Sequence, residues 1–374
     1  MDFSFSEEQK SLGETVAQLV ADHTRLIDPD PVAAAGGDVW TALAELGLFS
    51  LLVPEEHGGV GLSVLDLGLA IEALGAGLAP PLVASTLIAT DLIVRHGSPS
   101  QQDRYLPSIA TGELKIAIAT SESDSGYDPA EVRSAVEAGV LSGSKILVAG
   151  SGEAGLFLVL AKAEGAARVL LVPANASGVH VRTHEDIDPS ASLGELTLDR
   201  VSISSDEVLG GNRPAAAVER LIDVAATTYS GLAIGIAARM LATAVEYAKT
   251  RIQFGQAIGA FQSIKHRCAD MAMMVEAGRS AAYYAFWTIG EVAPDASRAS
   301  SMAKAYCGEV ARDVCNDTIQ IHGGMGFTWE LGLHRFLRRA KVLEHAFGNH
   351  SWHYERVVAQ TLALMDDSRG LQAG

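Results

Sequence analysis

Cysteine is scarce in this chain: its 374 residues include three, Cys268, Cys307 and Cys315. Three widely spaced thiols cannot supply the disulfide framework of a small secreted domain or a four-thiolate zinc site. Their scarcity is typical of proteins that work in a reducing compartment. We therefore expect a cytoplasmic protein without a structural metal.

Basic residues are also in short supply, with 28 Lys and Arg against 45 Asp and Glu and a net charge of −17. A surface of this sign repels nucleic acid and anionic lipid, so phosphates can be held only at local sites. Long apolar runs are missing as well, since no stretch approaches the roughly 18 uninterrupted apolar residues of a membrane span. We expect neither nucleic acid nor a membrane as a partner.

Hydrophobic periodicity divides the chain into three parts. A helical pattern begins at Ser6, whose spacing to Gln9 predicts a capping box, and runs to about Leu114. Short β-rich runs bounded by Gly, Asn, Asp and Pro follow, and helical periodicity returns near Pro214. No helix-length segment separates the strands, which favours an antiparallel sheet. The pattern predicts an α+β protein of several domains: an N-terminal helical domain (1–114), a middle β domain (115–209) and a C-terminal helical domain (210–374).

One glycine motif in the β-rich part matches a dinucleotide fingerprint, with Gly150, Gly152 and Gly155 in GxGxxG spacing. The fingerprint requires a helix after the glycines, so that its N-terminal amides can hold pyrophosphate. The apolar run LFLVLAKA follows here and has the character of a strand. We therefore expect a β-hairpin turn at these glycines.

Two glycine-rich segments interrupt the later helices: RIQFGQAIGAFQ at 251–262 and QIHGGMGF at 320–327. Taken alone, Arg251 fits a cation at a helix C-terminus and Gly255 a C′ glycine. Taken together, the segments offer an arginine fork for pyrophosphate and glycines that allow close approach of a ligand to the backbone. The pair indicates a cofactor site.

These segments belong to an ordered set of motifs: PEEHGGVG (54–61), YLPSIATGEL (105–114), TSESDSGYD (120–128), LSGSK (141–145), RIQFGQAIGAFQ, QIHGGMGFTWE and RFLRRAK (335–341). The set resembles the acyl-CoA dehydrogenase family along essentially the whole chain. The resemblance implies an N-terminal helical domain, a middle β-barrel domain and a C-terminal four-helix bundle. It implies FAD as cofactor, an acyl-CoA substrate, a tetramer with shared flavin sites, and electron-transfer flavoprotein or a similar acceptor.

The resemblance also assigns roles to single residues. Three match positions that touch the FAD phosphates and adenine: Arg251, Phe254 and Gln262. Three match positions that close around the same FAD from another subunit: Gln320, Gly323 and Gly324. Four fall on a middle-domain loop that faces flavin and thioester: Ser121, Glu122, Gly126 and Asp128.

The middle-domain pattern departs from the family at several positions, and Ser123-Asp124 stands where the family has Pro-Gly. Tyr127 replaces a serine of the loop, and Ala149 replaces a threonine that commonly approaches the flavin N5 edge. We retain Ser121 and Ala149 as flavin contacts and Tyr127 as a substrate contact.

The family reaction needs a carboxylate that removes the α-proton of the thioester. The usual position of this base holds Phe347, followed by Gly348, and the position used by a minority of the family holds Ala225. Both positions lack a carboxylate. Phe347 is then interpreted as lining the substrate site.

Three explanations for the missing base remain open. The chain is the non-catalytic partner in an α2β2 dehydrogenase, an arrangement found among bacterial steroid-catabolic members of the family, with a paralogous subunit supplying the base. Alternatively, a nearby carboxylate, Glu344 or Asp223, with Glu219 close to the latter, has taken over the role. The alternative explanation for each of these residues is a solvated carboxylate on a helix face. Thirdly, the fold serves another flavin reaction or a purely structural role as a scaffold subunit.

Four potential metal ligands follow the motif RFLRRAK: Glu344, His345, His350 and His353. Their spacing does not put three ligands on one helix face, and the family needs no metal. We expect a polar helix end there.

Overall fold

The computed structural model describes residues 5–23 and 37–370. Helices, then strands, then helices follow one another along the chain, which confirms the predicted architecture. The helices are α1 (Glu7–His23), α2 (Gly37–Glu45), α3 (Gly68–Ala76), α4 (Pro81–His96), α5 (Pro99–Ala110), α6 (Pro214–Thr250), α7 (Gln262–Gly290), α8 (Ala296–His322), α9 (Leu333–His345) and α10 (His350–Gly370). The strands are β1 (Ile116–Ala119), β2 (Ala135–Glu137), β3 (Val140–Ala149), β4 (Leu156–Ala163), β5 (Ala166–Pro173), β6 (Val179–Thr183), β7 (Leu193–Ser202), β8 (Ile252–Gln253) and β9 (Gln256–Ala257).

The described residues divide into two compact units. The sheet unit comprises residues 37–66 and 79–225, and the helical unit comprises residues 5–23, 67–78 and 226–370. Packing therefore groups segments that are distant in the chain. The domain limits expected after residues 114 and 209 stay predictions.

The sheet unit contains a seven-stranded sheet. Six strands follow the order β1-β4-β2-β3-β7-β6, and the seventh, β5, also pairs with β4. The prediction of an antiparallel sheet is wrong for β4, which runs parallel to β1, with Ile116 opposite Leu156, and parallel to β2. The remaining pairs of this sheet are antiparallel. Two parallel strands need a long connection that returns the chain to the starting edge, which is usually a crossover helix. Here the β2–β3 hairpin, which lies between β1 and β4 in sequence, provides this connection.

The GxGxxG segment forms the turn between β3 and β4, and a strand follows it as expected. The expectation of a β-hairpin is wrong, because β3 pairs with β2 and β7 whereas β4 pairs with β1, β2 and β5. Gly150 has a φ of +68°, and a Cβ atom there would lie 2.3 Å from the side chain of Leu82. This glycine therefore serves the packing of the turn on α4.

The helical unit begins with α1, whose predicted capping box is confirmed: the Ser6 amide donates to Gln9 Oε1 at 2.9 Å, and the Gln9 amide donates to Ser6 Oγ at 3.2 Å. α3 and α6 are in backbone contact. A Cβ on Gly75 would lie 2.1 Å from the Leu232 carbonyl oxygen, and one on Gly235 would lie 1.9 Å from the Glu72 carbonyl oxygen. The two glycines thus allow the helices to touch.

α8 occupies the middle of the helical unit, where α7, α9 and α10 pack against it. Small residues such as Ala299 and Ala303 are buried on its face toward α7. α6 is long and apolar enough to cross a membrane by length and composition, but most of its apolar window is buried inside the protein. It is a buried core helix.

Candidate functional site

Three helix ends meet at one end of the helical unit. The ring of Tyr247, in the last turn of α6, stacks on the ring of His322 at the end of α8, with centroids 4.1 Å apart. Arg267, near the start of α7, forms an ion pair with Asp317 of α8 at 3.1 Å. These contacts bring the C-termini of α6 and α8 to the N-terminus of α7, and with them the two glycine-rich segments found in the sequence.

The first glycine-rich segment is a tight hairpin of β8 and β9. Phe254 and Gly255 form its turn with φ values of +53° and +81°, as a two-residue turn with both central residues at positive φ requires. Arg251 precedes the hairpin, and its amide donates to the Tyr247 carbonyl at 2.8 Å. Arg251 thus lies at a helix C-terminus as expected, but the C′ interpretation of Gly255 is wrong because the glycine belongs to the hairpin turn.

Polar donors face solvent at this end of the unit. The side chains of Arg251, Gln262 and Gln320 are exposed and make no hydrogen bond or ion pair within residues 5–23 and 37–370. Gly323 and Gly324 are exposed, and a Cβ atom on either would meet nothing within 4 Å. An arginine fork, two amides and an open glycine backbone match the needs of a pyrophosphate. The donor set therefore fits FAD. The set of Arg251 and the set of Gln320, which the resemblance assigned to different subunits at one FAD, lie at the same end of the helical unit in a single chain.

Large apolar side chains stand in solvent beside these donors. Phe254 is 92% exposed in the hairpin, Phe327 is 76% exposed in the glycine turn, and Trp329 is 62% exposed just after it. Isolated exposed apolar residues are ordinary, but a group of aromatic rings around polar donors is typical of a surface that a ligand or another subunit covers.

The turn after α9 carries the usual position of the family base. Phe347 adopts a φ of +57°, and its ring packs edge-on against Tyr229 with centroids 4.9 Å apart. Gly348 follows with a φ of +110°, and a Cβ atom there would lie 2.5 Å from the ring of Trp352. A phenylalanine in the left-handed region persists only where the surroundings hold it.

Two buried side chains hold this turn. The Lys304 ammonium donates to the carbonyls of Glu344 at 3.0 Å and Gly348 at 2.9 Å, and His353 Nε2 lies 3.0 Å from the Phe347 carbonyl oxygen. Burial lowers the pKa of Lys304 to about 7, although Glu344 opposes the shift. Burial and the nearby cations Lys304 and Arg356 lower the pKa of His353 to about 2. Sequence reasoning missed Lys304, although a lysine on the apolar face of α8 was a visible sign.

The two carboxylates proposed as displaced bases differ in setting. Glu344 is 3% exposed, and its oxygens form ion pairs with Arg312 at 2.5 Å and Lys341 at 3.2 Å. Asp223 is 5% exposed on the part of α6 that belongs to the sheet unit, and Glu219 is exposed one turn earlier. Among the described residues, no group of three or more His, Cys, Asp or Glu side chains is placed to hold a metal ion.

The candidate loop of the sheet unit is anchored at Glu122. Lys145 Nζ and Ser134 Oγ each donate to its carboxylate at 2.6 Å, and the amides of Arg133 and Ser134 donate at 2.7 and 2.9 Å. Burial alone would raise the pKa of Glu122, but these hydrogen bonds outweigh it and hold the pKa at about 2. Burial in turn lowers the pKa of Lys145.

The other candidates of the sheet unit lie around this anchor. Ser121 precedes Glu122, and Tyr127 is half-buried at the far end of the loop, where burial raises its pKa. Ala149 ends β3 opposite Leu193 of β7. Sequence reasoning missed Leu147, which lies in a β-bulge of β3 at a φ of +56° with 61% of its side chain exposed.

Comparisons with known proteins cover nearly the whole chain. Family models for the N-terminal, middle and C-terminal domains of acyl-CoA dehydrogenase match residues 6–113, 117–201 and 215–362. A probable acyl-CoA dehydrogenase, fadE25, of Mycobacterium leprae is 30% identical over 91% of this chain and 92% of its own length. These matches exceed what a shared fold alone requires.

Two solved structures are similar to this chain over nearly its whole length. The ChsE4–ChsE5 complex from Mycobacterium tuberculosis matches with a TM-score of 0.88 and 27% identity, covering 97% of this chain and 99% of that one. The FAD complex of PigA matches with a TM-score of 0.85 and 28% identity, covering 98% of this chain and 100% of that one. Family models, a relative and structural neighbours thus coincide over the elements described above, and the chain belongs to the acyl-CoA dehydrogenase family of FAD-dependent oxidoreductases.

Proposed function

We propose that this chain is the FAD-binding subunit of a hetero-oligomeric acyl-CoA dehydrogenase that introduces an α,β double bond into a CoA thioester. The observation that carries the proposal is Phe347, because the turn is tightly held and yet presents a phenyl ring to Tyr229 where the reaction needs a carboxylate. Ala225, at the second family position, is fully buried and offers only a methyl group. The base then belongs to a paralogous subunit at that subunit's own site.

The residues of this chain would serve the cofactor in distinct ways. Arg251 would hold the pyrophosphate by its guanidinium fork, and Gln262 would add an amide at the N-terminus of α7, where the helix dipole favours an anion. Gly323 and Gly324 would let the cofactor approach the backbone, with Gln320 as a further donor, and exposed Phe254 would cover the adenine. FAD, when bound, supplies the acceptor for the hydride from the β-carbon. Ser121 and Ala149 would contact the flavin, and Tyr127 the substrate.

The proposed assembly is a tetramer with the paralogous subunit, in the cytoplasm. The exposed rings of Phe254, Phe327 and Trp329 support it, because association would remove them from water. Electron-transfer flavoprotein or a similar acceptor would reoxidise the flavin, as the family resemblance implies. The same resemblance, through the missing base, suggests a bulky steroid-type acyl group.

A stand-alone enzyme with a displaced base is the second candidate. Asp223 favours it as a buried carboxylate on the same helix as Ala225, α6. Glu344 favours it less, because both oxygens are engaged by cations. Glu344→Gln and Asp223→Asn are each tested for turnover in a protein that is active alone; a variant that keeps full activity removes its residue from consideration. A scaffold subunit without flavin is the remaining alternative.

The proposal is tested by purifying the chain alone and together with a coexpressed paralogue that keeps a glutamate at the position of Phe347. Visible absorption reports bound flavin, and native mass spectrometry reports the subunits present. We expect a flavin-containing hetero-oligomer that oxidises acyl-CoA, with no turnover by this chain alone. Turnover by this chain alone would contradict the heteromeric assignment, and a colourless hetero-oligomer would favour the scaffold.

A further inference from the structure

Glu122 and Lys145 form a buried ion pair that hydrophobic packing alone does not explain. Lys145 is completely buried and Glu122 is 9% exposed, with 2.6 Å between Nζ and Oε1. Removing two charges from water is costly, and apolar residues of similar volume often give equal or greater stability. In some proteins, buried ionic groups of this kind fix one conformation, and we take this role as the hypothesis for Glu122 and Lys145.

The pair joins three segments of the sheet unit. Glu122 lies on the loop after β1, Lys145 lies on β3, and the hydrogen bonds from Arg133 and Ser134 attach the segment that leads into β2. The Ile146 amide also donates to the Ser121 carbonyl at 2.9 Å. The residues next to each member of the pair are therefore bonded to each other, and the loop cannot shift along β3 without breaking both contacts.

The geometry places two candidate flavin contacts at the ends of this connection. Ser121 is adjacent to Glu122, and Ala149 lies four residues beyond Lys145, at the end of the same strand. A bulge between Lys145 and Val148 turns the strand just before Ala149. Bulges often occur next to active sites, where they redirect side chains.

We propose that Glu122 and Lys145 are positioning residues for the cofactor, which fix the loop of Ser121 relative to the end of β3 so that both can face the flavin. This inference rests on the proposed FAD-binding function. It also accounts for a loop that keeps its anchor while its tip differs from the family pattern at Tyr127. Fixing a binding constellation by buried side-chain hydrogen bonds is how sites are preorganised.

The test uses the FAD-loaded protein, in the assembly that binds FAD, and the double variant Glu122→Gln/Lys145→Met, which removes both charges and leaves neither one unpaired. Flavin release is followed by the rise in flavin fluorescence after dilution, and folding by circular dichroism and thermal unfolding without added FAD. We expect a folded variant that releases FAD about tenfold faster, equivalent to about 1.4 kcal/mol. The matched control is Lys115→Met/Glu153→Gln, which removes a partly exposed pair of the same sheet unit at 2.6 Å and should leave release unchanged.

The outcomes distinguish a failure of the positioning role from a failure of the proposed FAD-binding function. A folded double variant that releases FAD at the wild-type rate overturns the positioning role and leaves the proposed function intact. A wild-type protein without FAD in any assembly overturns both. If the double variant does not fold, Glu122→Asp keeps both charges and withdraws the carboxylate by one methylene; its expected result is several-fold faster release, and an unchanged rate overturns the proposal.

Discussion

The Nζ atom of Lys304 lies 2.9 Å from the carbonyl oxygen of Gly348, so that a buried cation of α8 is bonded to the turn that follows α9. The same atom binds the last turn of α9 through the Glu344 carbonyl at 3.0 Å. Carbonyls at a helix C-terminus attract a cation, because the backbone leaves them unpaired and partly negative. Lys304 therefore determines how α9 ends and where Phe347 lies.

Lys304→Met should loosen this turn. Methionine keeps the length of the side chain but donates no hydrogen bond, so the Glu344 and Gly348 carbonyls lose their partner. We expect amide hydrogen exchange in residues 345–350 to rise about tenfold, measured by mass spectrometry of peptides. Lys265→Met, at an exposed position of α7, is the control. Equal exchange in the two variants would show that Lys304 does not hold the turn.

The stability of the wild type relative to Lys304→Met should depend on pH. Burial lowers the pKa of Lys304 to about 7 in the folded state from 10.5. Between these values the unfolded chain binds a proton that the folded chain does not, so raising the pH favours folding. We expect the difference in unfolding free energy to be flat below pH 7 and to shift toward the wild type above it, by at most about 1.4 kcal/mol per pH unit. Urea unfolding between pH 6 and 9.5 measures it; a difference that is flat throughout would contradict the shifted pKa.

Gly324→Ala should separate cofactor binding from stability. A Cβ atom at Gly324 meets nothing within 4 Å in this chain, so the thermal unfolding temperature without FAD should stay the same. The added methyl group would occupy the space that we assign to the cofactor, and we expect FAD affinity to fall about tenfold or more. Fluorescence titration of the apoprotein with FAD provides the measurement.

Gly326→Ala is the contrasting variant. Its Cβ would lie 2.5 Å from the Ile319 carbonyl oxygen, and we expect it to lower the unfolding temperature. Unchanged FAD affinity in the Gly324→Ala protein would show that the cofactor does not lie against this glycine.

Phe347→Glu should install a base. The turn is already held by Lys304 and His353, so the new carboxylate would take the position of the ring beside Tyr229. With FAD bound, we expect exchange of the α-protons of octanoyl-CoA with deuterated water to rise about a hundredfold, within the usual contribution of a positioned base. Mass spectrometry of recovered octanoyl-CoA follows the exchange. Phe347→Gln has nearly the same shape without a base, and equal exchange in both variants would refute the prediction.

Local patterns predicted those parts of the molecule whose cause is local. The Ser6–Gln9 capping box and the order of helices and strands depend on residues a few positions apart, and both are confirmed. The parallel pairing of β1 with β4 was not predictable in this way, because it joins Ile116 to Leu156 across an intervening hairpin. Strand order is a property of the sheet, whereas the periodicity of one strand reports only its two faces.

The candidate site shows the same division. The glycine-rich segments were visible because glycines and an arginine between helices are unusual in sequence. Their approach through Tyr247 and His322 required the structure, since these residues are separated by the whole of α7. Glu122 was placed on the candidate loop by its motif, but Lys304 and the partner of Glu122, Lys145, were missed because a charged residue in a sequence indicates a surface until its burial is known.

The composition of the helical unit bears on how the protein is made. α1 and α3 belong to a unit that is completed only by residues beyond 225, such as the part of α6 that touches α3 at Gly75 and Gly235. During synthesis the segments of the sheet unit are complete before residue 226 is added, whereas α3 still lacks the part of α6 that packs on it. A chain that ends soon after residue 225 would therefore retain every segment of the sheet unit but leave α3 without the part of α6 that packs on it, and we expect such a chain to be a substrate for chaperones and proteases.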